Sequence, residues 1–274
     1  YYIRFLDPKN TKSFASPEAI KYWLPVDLYV GGAEHAVLHL LYSRFWHKFL
    51  YDKGFLPGPE PFTRLVNQGL ILGEDGQKMS KSLGNVINPD DVIAEHGADA
   101  MRLYEMFMGP LEMSKPWNTN GILGIRRFLE RAWRLYEKEI VSANTDGERE
   151  RLRHKTIRKV TEDLDAMAFN TAISALMVYV TELGKLDSLS RIDGETLALL
   201  LAPFAPHLGE ELWERLGHEQ TIAYQPWPDF DADKTRDDTI EIVFQINGKV
   251  RDKIQVSADI PGPEMETLAR ASEK

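Results

Sequence analysis

The sequence has no cysteine in its 274 residues, which excludes disulfides and thiolate metal centres and removes any argument for an oxidising compartment. It also lacks an apolar run near the roughly 18 residues that cross a bilayer, and nothing at its start resembles a signal peptide. Positive charge is in deficit: 33 Lys and Arg stand against 42 Asp and Glu, a net of −9. That balance does not advertise a nucleic-acid partner, although phosphate binding depends on where cations cluster and not on their sum. What remains is a globular composition, 43% hydrophobic and 27% charged, long enough for two modest cores. A soluble, cytoplasmic, monomeric protein is the expectation. The chain opens on Tyr1, not Met, at an aromatic, strand-like run, and stops soon after Glu264 begins a helical pattern. Both ends read as cuts in a longer polypeptide.

The first third reads as α/β. Val26 to Val30 is apolar and of strand length, Gly31-Gly32 turns, and Glu34 to Leu50 carries Val37, Leu38, Leu41, Phe45 and Phe49 at the three-and-four spacing of one buried helix face. Strand, glycine turn and helix form the unit of a parallel sheet. Gly69 to Leu72 is a second short strand, closed by Gly73-Glu74-Asp75-Gly76. Asn88-Pro89-Asp90-Asp91 combines a cap, proline at the first position and two carboxylates facing the dipole, so a helix starts there. Gly97 ends it, and another helix runs from near Asp99 to about Met108.

From Gly121 the periodicity becomes helical throughout, over 124–141, 148–165, 171–185 and 195–216, with Pro203 and Pro206 placed to break the last segment. Alternation returns at Thr239, where Ile240, Ile242, Phe244 and Ile246 face Val250, Ile254 and Val256 across Asn247-Gly248. A two-residue loop would set Ile246 opposite Lys249 and split the apolar sets between faces; a bulge at the turn pairs Ile246 with Val250 and Ile242 with Ile254. The second arrangement is expected. The hairpin is too small to fold alone and reads as the start of an α+β unit.

The segment with most chemical content is Gly76-Gln77-Lys78-Met79-Ser80-Lys81-Ser82-Leu83-Gly84-Asn85. Two lysines three apart on a glycine-bracketed loop are able to converge on one polyanion. When a carboxylate attacks the α-phosphate of ATP, charge builds on the phosphoryl oxygens and on departing pyrophosphate. Fixed ammonium groups stabilise that charge more in the transition state than in the ground state. Any two loop lysines are ordinarily a solvated basic turn; this whole string, however, matches the lysine-loop signature of class I aminoacyl-tRNA synthetases. Upstream, the string from Tyr22 through Gly31-Gly32-Ala33-Glu34-His35 and His39 to Lys48 resembles the leucyl branch, as do Phe169 to Ile173 and Asn247 to Arg251.

That resemblance implies part of a Rossmann-like class I catalytic domain over 1–120, an all-α anticodon-binding-type bundle over 121–232, and the start of a truncated α+β tRNA-binding domain over 238–274. It implies an ATP-dependent leucine–tRNA ligase, with Lys78 and Lys81 catalytic. ATP and adenylate would be held by Gly31, Gly32, Glu34, His39, Gln68, Gly69, Leu70, Ile71, Met79 and Ser80, with Mg2+ arriving on ATP. Tyr1 and His35 would border the leucine pocket. A His-x-Gly-His type motif and an editing domain belong to the family but not to this stretch, so the piece alone is expected to be inactive. Some bacterial members insert a domain before the lysine loop; here five residues join Leu72 to Lys78, the insertion-free arrangement.

Residue by residue, Glu34 is placed to accept from a ribose or an ammonium, or simply to complement a helix dipole. His35 and His39 have the four-residue spacing of zinc-binding helices, but no third ligand is apparent and no metal site is expected. For tRNA(Leu), Arg126, Arg127, Arg131 and Arg134 are the candidate phosphate contacts, joined by Lys138 and by six basic residues between Arg149 and Lys159. Trp117 is read as a packing residue. Two alternatives stay open: a non-catalytic tRNA-binding module, and a class I enzyme for another branched amino acid.

Overall fold

The computed structural model describes residues 1–142, 147–236, 239–246, 249–257 and 260–271. Its opening is not a strand: Tyr2–Leu6 forms a 3-10 turn. No neighbouring strand meets this run among the described residues, and its tyrosines dock on histidines instead, Tyr1 on His39 Nδ1 and Tyr2 on His47 Nδ1 at 2.5 Å. Helix α1 (Pro17–Trp23) follows, capped by Ser16. Strand β1 (Val26–Gly32) pairs in parallel with β2 (Phe62–Gln68), a strand that its sequence pattern did not mark.

The helix expected over 34–50 is interrupted. Ala33–Val37 is a 3-10 turn, Leu38 leaves helical space at φ −119°, ψ −105°, and α2 runs His39–Asp52. Gly32 offers no side-chain cap, so the first turn tightens to i→i+3 bonds. Nor is its apolar stripe buried: Val37, Leu41 and Phe45 are 70%, 55% and 66% exposed. Periodicity predicted an amphipathic helix correctly, but among the described residues nothing covers its stripe. Leu28, Val30 and Leu65 on β1 and β2 are exposed as well.

Strand β3 (Ile71–Leu72) leads into the lysine loop and pairs in parallel with β4 (Lys115–Pro116). Helices α3 (Pro89–His96) and α4 (Ala98–Phe107) lie between, with Asn88 Oδ1 accepting from Asp90 N at the start of α3 as its sequence predicts. The main core begins here: Ala100, Leu103 and Tyr104 of α4 are continuous with the helices that follow. Trp117 is buried edge-on against Tyr104 and donates to Thr119 Oγ1, the packing role expected of it.

The bundle consists of α5 (Thr119–Leu135), α6 (Gly147–Asp165), α7 (Phe169–Gly184), α8 (Arg191–Leu201) and α9 (Pro206–Arg215). In α5, Ile122, Ile125, Phe128, Ala132 and Leu135 are buried at helical spacing, and α7 does the same with Ile173, Leu176, Val180 and Leu183. The first helix stops at Leu135 instead of 141; Glu139–Val141 becomes strand β5, parallel to β6 (Ser188–Ser190). Lys138 anchors this exit by donating to the carbonyls of Leu183, Gly184 and Leu186 at the end of α7. As expected, the helical pattern over 195–216 breaks at the prolines, and Pro206 is the first residue of α9. Asp99 caps α9, accepting from Leu208 N at 2.7 Å, and ties it to α4.

Strands β7 (Thr239–Ile246) and β8 (Lys249–Ser257) form the expected hairpin, followed by α10 (Gly262–Ala271). Asn247 and Gly248 lie outside the described residues. Their neighbours take the register of a two-residue loop, Ile246 opposite Lys249 and Gln245 opposite Val250, not Ile246 opposite Val250. A bulge at Phe244/Gln245 then shifts the register, so that Ile242 does face Ile254. The apolar faces are reunited one pair farther from the turn than expected.

Candidate functional site

Open parallel sheets present ligand sites beyond the carboxyl ends of their strands. Gly31 and Gly32 end β1, opposite Asn67 and Gln68 at the end of β2. The free space over both glycines is used by the chain itself. A Cβ on Gly32 would lie 2.2 Å from Glu34 Oε2, and one on Gly31 would lie 2.9 Å from the Tyr29 ring. Glu34, exposed in a 3-10 turn, therefore folds its carboxylate back over Gly32.

Around this turn sits an aromatic and histidine cluster. Tyr1 hydrogen-bonds His39 Nδ1, Tyr29 packs on His39 with ring centroids 5.4 Å apart, and His35 and His39 lie edge-on at 6.4 Å. Burial, and next the neighbouring His35, lower the His39 pKa, while burial raises that of the Tyr1 hydroxyl. His35 Nδ1 is buried with no hydrogen-bond partner. The cluster thus favours the neutral form of His39 and orients it with a phenol. Tyr1, His35 and His39 do come together, although Leu38 breaks the helix between the histidines.

Gln68 to Ile71 links this cluster to the lysine loop. Gly69 N donates to Leu111 O, and a Cβ at Gly69 would fall 2.2 Å from the Met113 carbonyl carbon. Leu70 N donates to Ser114 Oγ. This segment is held against 111–115 by its backbone, leaving the side chains of Leu70 and Gln68 outward and exposed.

Leu72 bridges antiparallel to Lys78, closing the five-residue connection. Beyond it the loop is held by two residues to which sequence reasoning gave no role. Asn85 Oδ1 accepts from Ser80 N at 2.9 Å, while its Nδ2 donates to the Asp75 carboxylate at 3.2 Å. Asp75 also accepts from Gln77 N. Ser80 Oγ accepts from Leu83 N, giving a second small turn, and Met79 packs toward the main core. Gly76 and Gly84 adopt φ +73° and +65°, conformations that disfavour a side chain. Lys78 and Lys81 are exposed, and no hydrogen bond or ion pair within the chain engages either ammonium among the described residues. The result is a stapled loop holding two uncommitted cations.

Glu74, at the base of this loop, accepts from Thr119 Oγ1 at 2.6 Å and from Thr119 N, which lowers its pKa. The loop is thereby joined to the first turn of α5. On that helix the four arginines divide. Arg126 and Arg134 line a cleft with Trp133, while Arg127 and Arg131 lie outside it.

The basic stretch of α6 is different from its sequence reading. Arg153 and Arg149 point at the buried Asp193 carboxylate, 3.0 and 3.7 Å away, and Arg158 and Lys159 pair with Glu162 and Asp163. Tyr179 and Ser190 complete the Asp193 shell at 2.9 and 2.6 Å. A buried carboxylate requires such partners, so several of the six basic residues offered as phosphate contacts are engaged within the chain.

A family model of class I tRNA synthetases (I, L, M and V) matches residues 13–113, and a model of the anticodon-binding domain of tRNA ligases matches residues 150–267. The chain belongs to the class I tRNA synthetases. A solved structure, the ternary complex of Agrobacterium radiobacter K84 agnB2 LeuRS with tRNA and LeuAMS, matches with TM-score 0.81 and 34% identity over 99% of this chain. The synthetase chain described here spans 38% of that protein's length. Its α/β part is therefore class I catalytic fold and its helices carry the anticodon-binding-type bundle. No helix among the described residues is long and apolar enough to cross a membrane.

Proposed function

We propose that this chain is a portion of a leucine–tRNA ligase, contributing one wall of the site where leucine and ATP form leucyl-adenylate and pyrophosphate before leucine passes to tRNA(Leu). The observation that carries the reading is the stapled loop with Lys78 and Lys81 exposed and uncommitted at the ligand-binding end of the sheet. In this reading Lys78 and Lys81 stabilise charge on the phosphoryl oxygens and on leaving pyrophosphate. Met79 and Ser80 set the loop; Gly31, Gly32, Glu34, His39 and the Gln68 to Ile71 segment border the nucleotide; Tyr1 and His35 shape the leucine pocket. Mg2+ enters as the companion of ATP. Residues 1–120, 121–232 and 238–274 correspond to catalytic, tRNA-docking and carboxyl-side units, and the cytoplasm is the location.

Leucine is favoured by the Tyr22 to Lys48 string and by the match to a LeuRS over nearly the whole chain. The exposed faces of β1, β2 and α2 are surfaces for the remainder of a longer enzyme, so the isolated chain does not activate leucine. The test is ATP–pyrophosphate exchange in the longer enzyme with leucine, isoleucine, valine and methionine offered singly. Leucine should lead by a wide margin. Preference for another of the four overturns the substrate, and no exchange with any of them overturns the ligase.

A further inference from the structure

The joint between the lysine-loop region and the bundle contains a cleft of about 490 Å³, formed by α3, α5 and α9. It falls across the two family-model segments: α3 lies in the first, α9 in the second, and α5 in neither. We propose that this cleft seats one sugar–phosphate unit of the tRNA backbone, with Arg126 and Arg134 on the phosphate and His96 as a hydrogen-bonding group. The inference rests on the tRNA-ligase reading and deepens it by naming the docking point.

Three observations carry it. Arg126 and Arg134 are exposed on one arc of α5, two turns apart, and both line the cleft. Arg134 has no side-chain hydrogen bond or ion pair among the described residues, and Arg126 only reaches Glu130 at 4.0 Å. His96 also lines the cleft; its side chain is 6% exposed and its Nδ1 has no hydrogen-bond partner. A buried polar atom without a partner is destabilising, a loss that a ligand offering a bond would recover.

The third is a rigid wall. Trp133 is fixed from two sides, donating to Glu137 at 3.0 Å and carrying the Arg215 guanidinium 4.0 Å from its ring centre. Glu130 and Glu137 also line the cleft. Glu137 accepts from the indole and Glu130 faces Arg126, which leaves Arg134 as the cation of the lining without a carboxylate partner among the described residues. A phosphodiester suits that balance, because a phosphate accepts from two guanidinium groups at once.

The experiment is equilibrium binding of a tRNA(Leu) transcript to this chain over a range of salt. Arg126→Ala/Arg134→Ala should weaken binding about tenfold and reduce the salt slope by about one, the signature of a lost phosphate contact. His96→Phe, which keeps an aromatic ring without its nitrogens, should weaken binding severalfold with the slope unchanged. Lys185→Ala, a surface cation just past the end of α7 and outside the cleft, should stay within about twofold of wild type. Arg126, Arg134 and Lys185 are exposed, and melting curves for each variant confirm that folding is intact. Equal losses from Arg126→Ala/Arg134→Ala and Lys185→Ala, or wild-type affinity and slope in Arg126→Ala/Arg134→Ala, overturn the cleft while leaving the tRNA reading in place. No binding by the wild-type chain overturns the tRNA reading itself.

Discussion

Asn85 and Asp75 close the lysine loop across its mouth: the Asn85 amide donates to both carboxylate oxygens of Asp75 at 3.2 Å while its carbonyl accepts from Ser80 N. One side chain thereby fixes the backbone on either side of Lys78 and just before Lys81. Asn85→Ala in the longer enzyme should slow leucyl-adenylate formation about tenfold, because misplacement of charged groups by about 1 Å costs that much or more. Rapid-quench measurement of adenylate checks it; an unchanged rate removes Asn85 from the positioning machinery.

Gly32 and Gly69 have equally close neighbours of different kinds. Gly32 is crowded by the flexible Glu34 carboxylate, and Gly69 by the backbone of Met113. Gly69→Ala should destabilise by about 1–3 kcal/mol, since backbone must move. Gly32→Ala should leave stability nearly unchanged, because Glu34 swings away. Denaturant melts of the two variants decide; equal losses would contradict the distinction.

Arg153 meets Asp193 inside the bundle, where the carboxylate has no exposure. Arg153→Met should cost about 3–5 kcal/mol by leaving a buried charge short of a partner. Arg153→Met/Asp193→Leu should recover a large part of that loss. If the double variant is no more stable than the single one, the pair is not the unit described.

His47 is buried, accepts from the Tyr2 hydroxyl at 2.5 Å and donates from Nε2 to Gly58 O at 3.0 Å. Burial lowers its pKa, outweighing the opposing effects of Gly58 and Glu60. The unfolded chain, with a value near 6.5, binds this proton more readily than the folded one. The stabilisation from neutral His47 is therefore complete above pH about 6.5 and declines as pH falls toward the depressed folded value. His47→Gln should flatten the fall in Tm between about pH 7 and 5; an unaltered profile would place the effect elsewhere.

The lysine loop, the Asn88-Pro89 cap and the periodic bundle helices were legible because each is written in neighbouring residues. Long-range relationships were not. Val37, Leu41 and Phe45 carry the spacing of a buried stripe, but spacing does not reveal whether the covering surface belongs to the same chain. The α6 cations read as phosphate contacts because Asp193, which engages two of them, lies 40 residues past Arg153. Strand β2 went unmarked because Phe62–Gln68 alternates only weakly and gains its identity from pairing with β1. For the candidate site, the sequence placed the lysines, but not Asn85 and Asp75, which hold them.

The most direct test is Lys81→Ala in the longer leucine-activating enzyme, read as leucine-dependent ATP–pyrophosphate exchange. The account predicts a loss on the order of 10²–10³ in rate, the usual cost of removing one preorganised charge-stabilising donor. Exchange at the wild-type rate would contradict it, and would leave the loop a basic turn on a tRNA-binding fold.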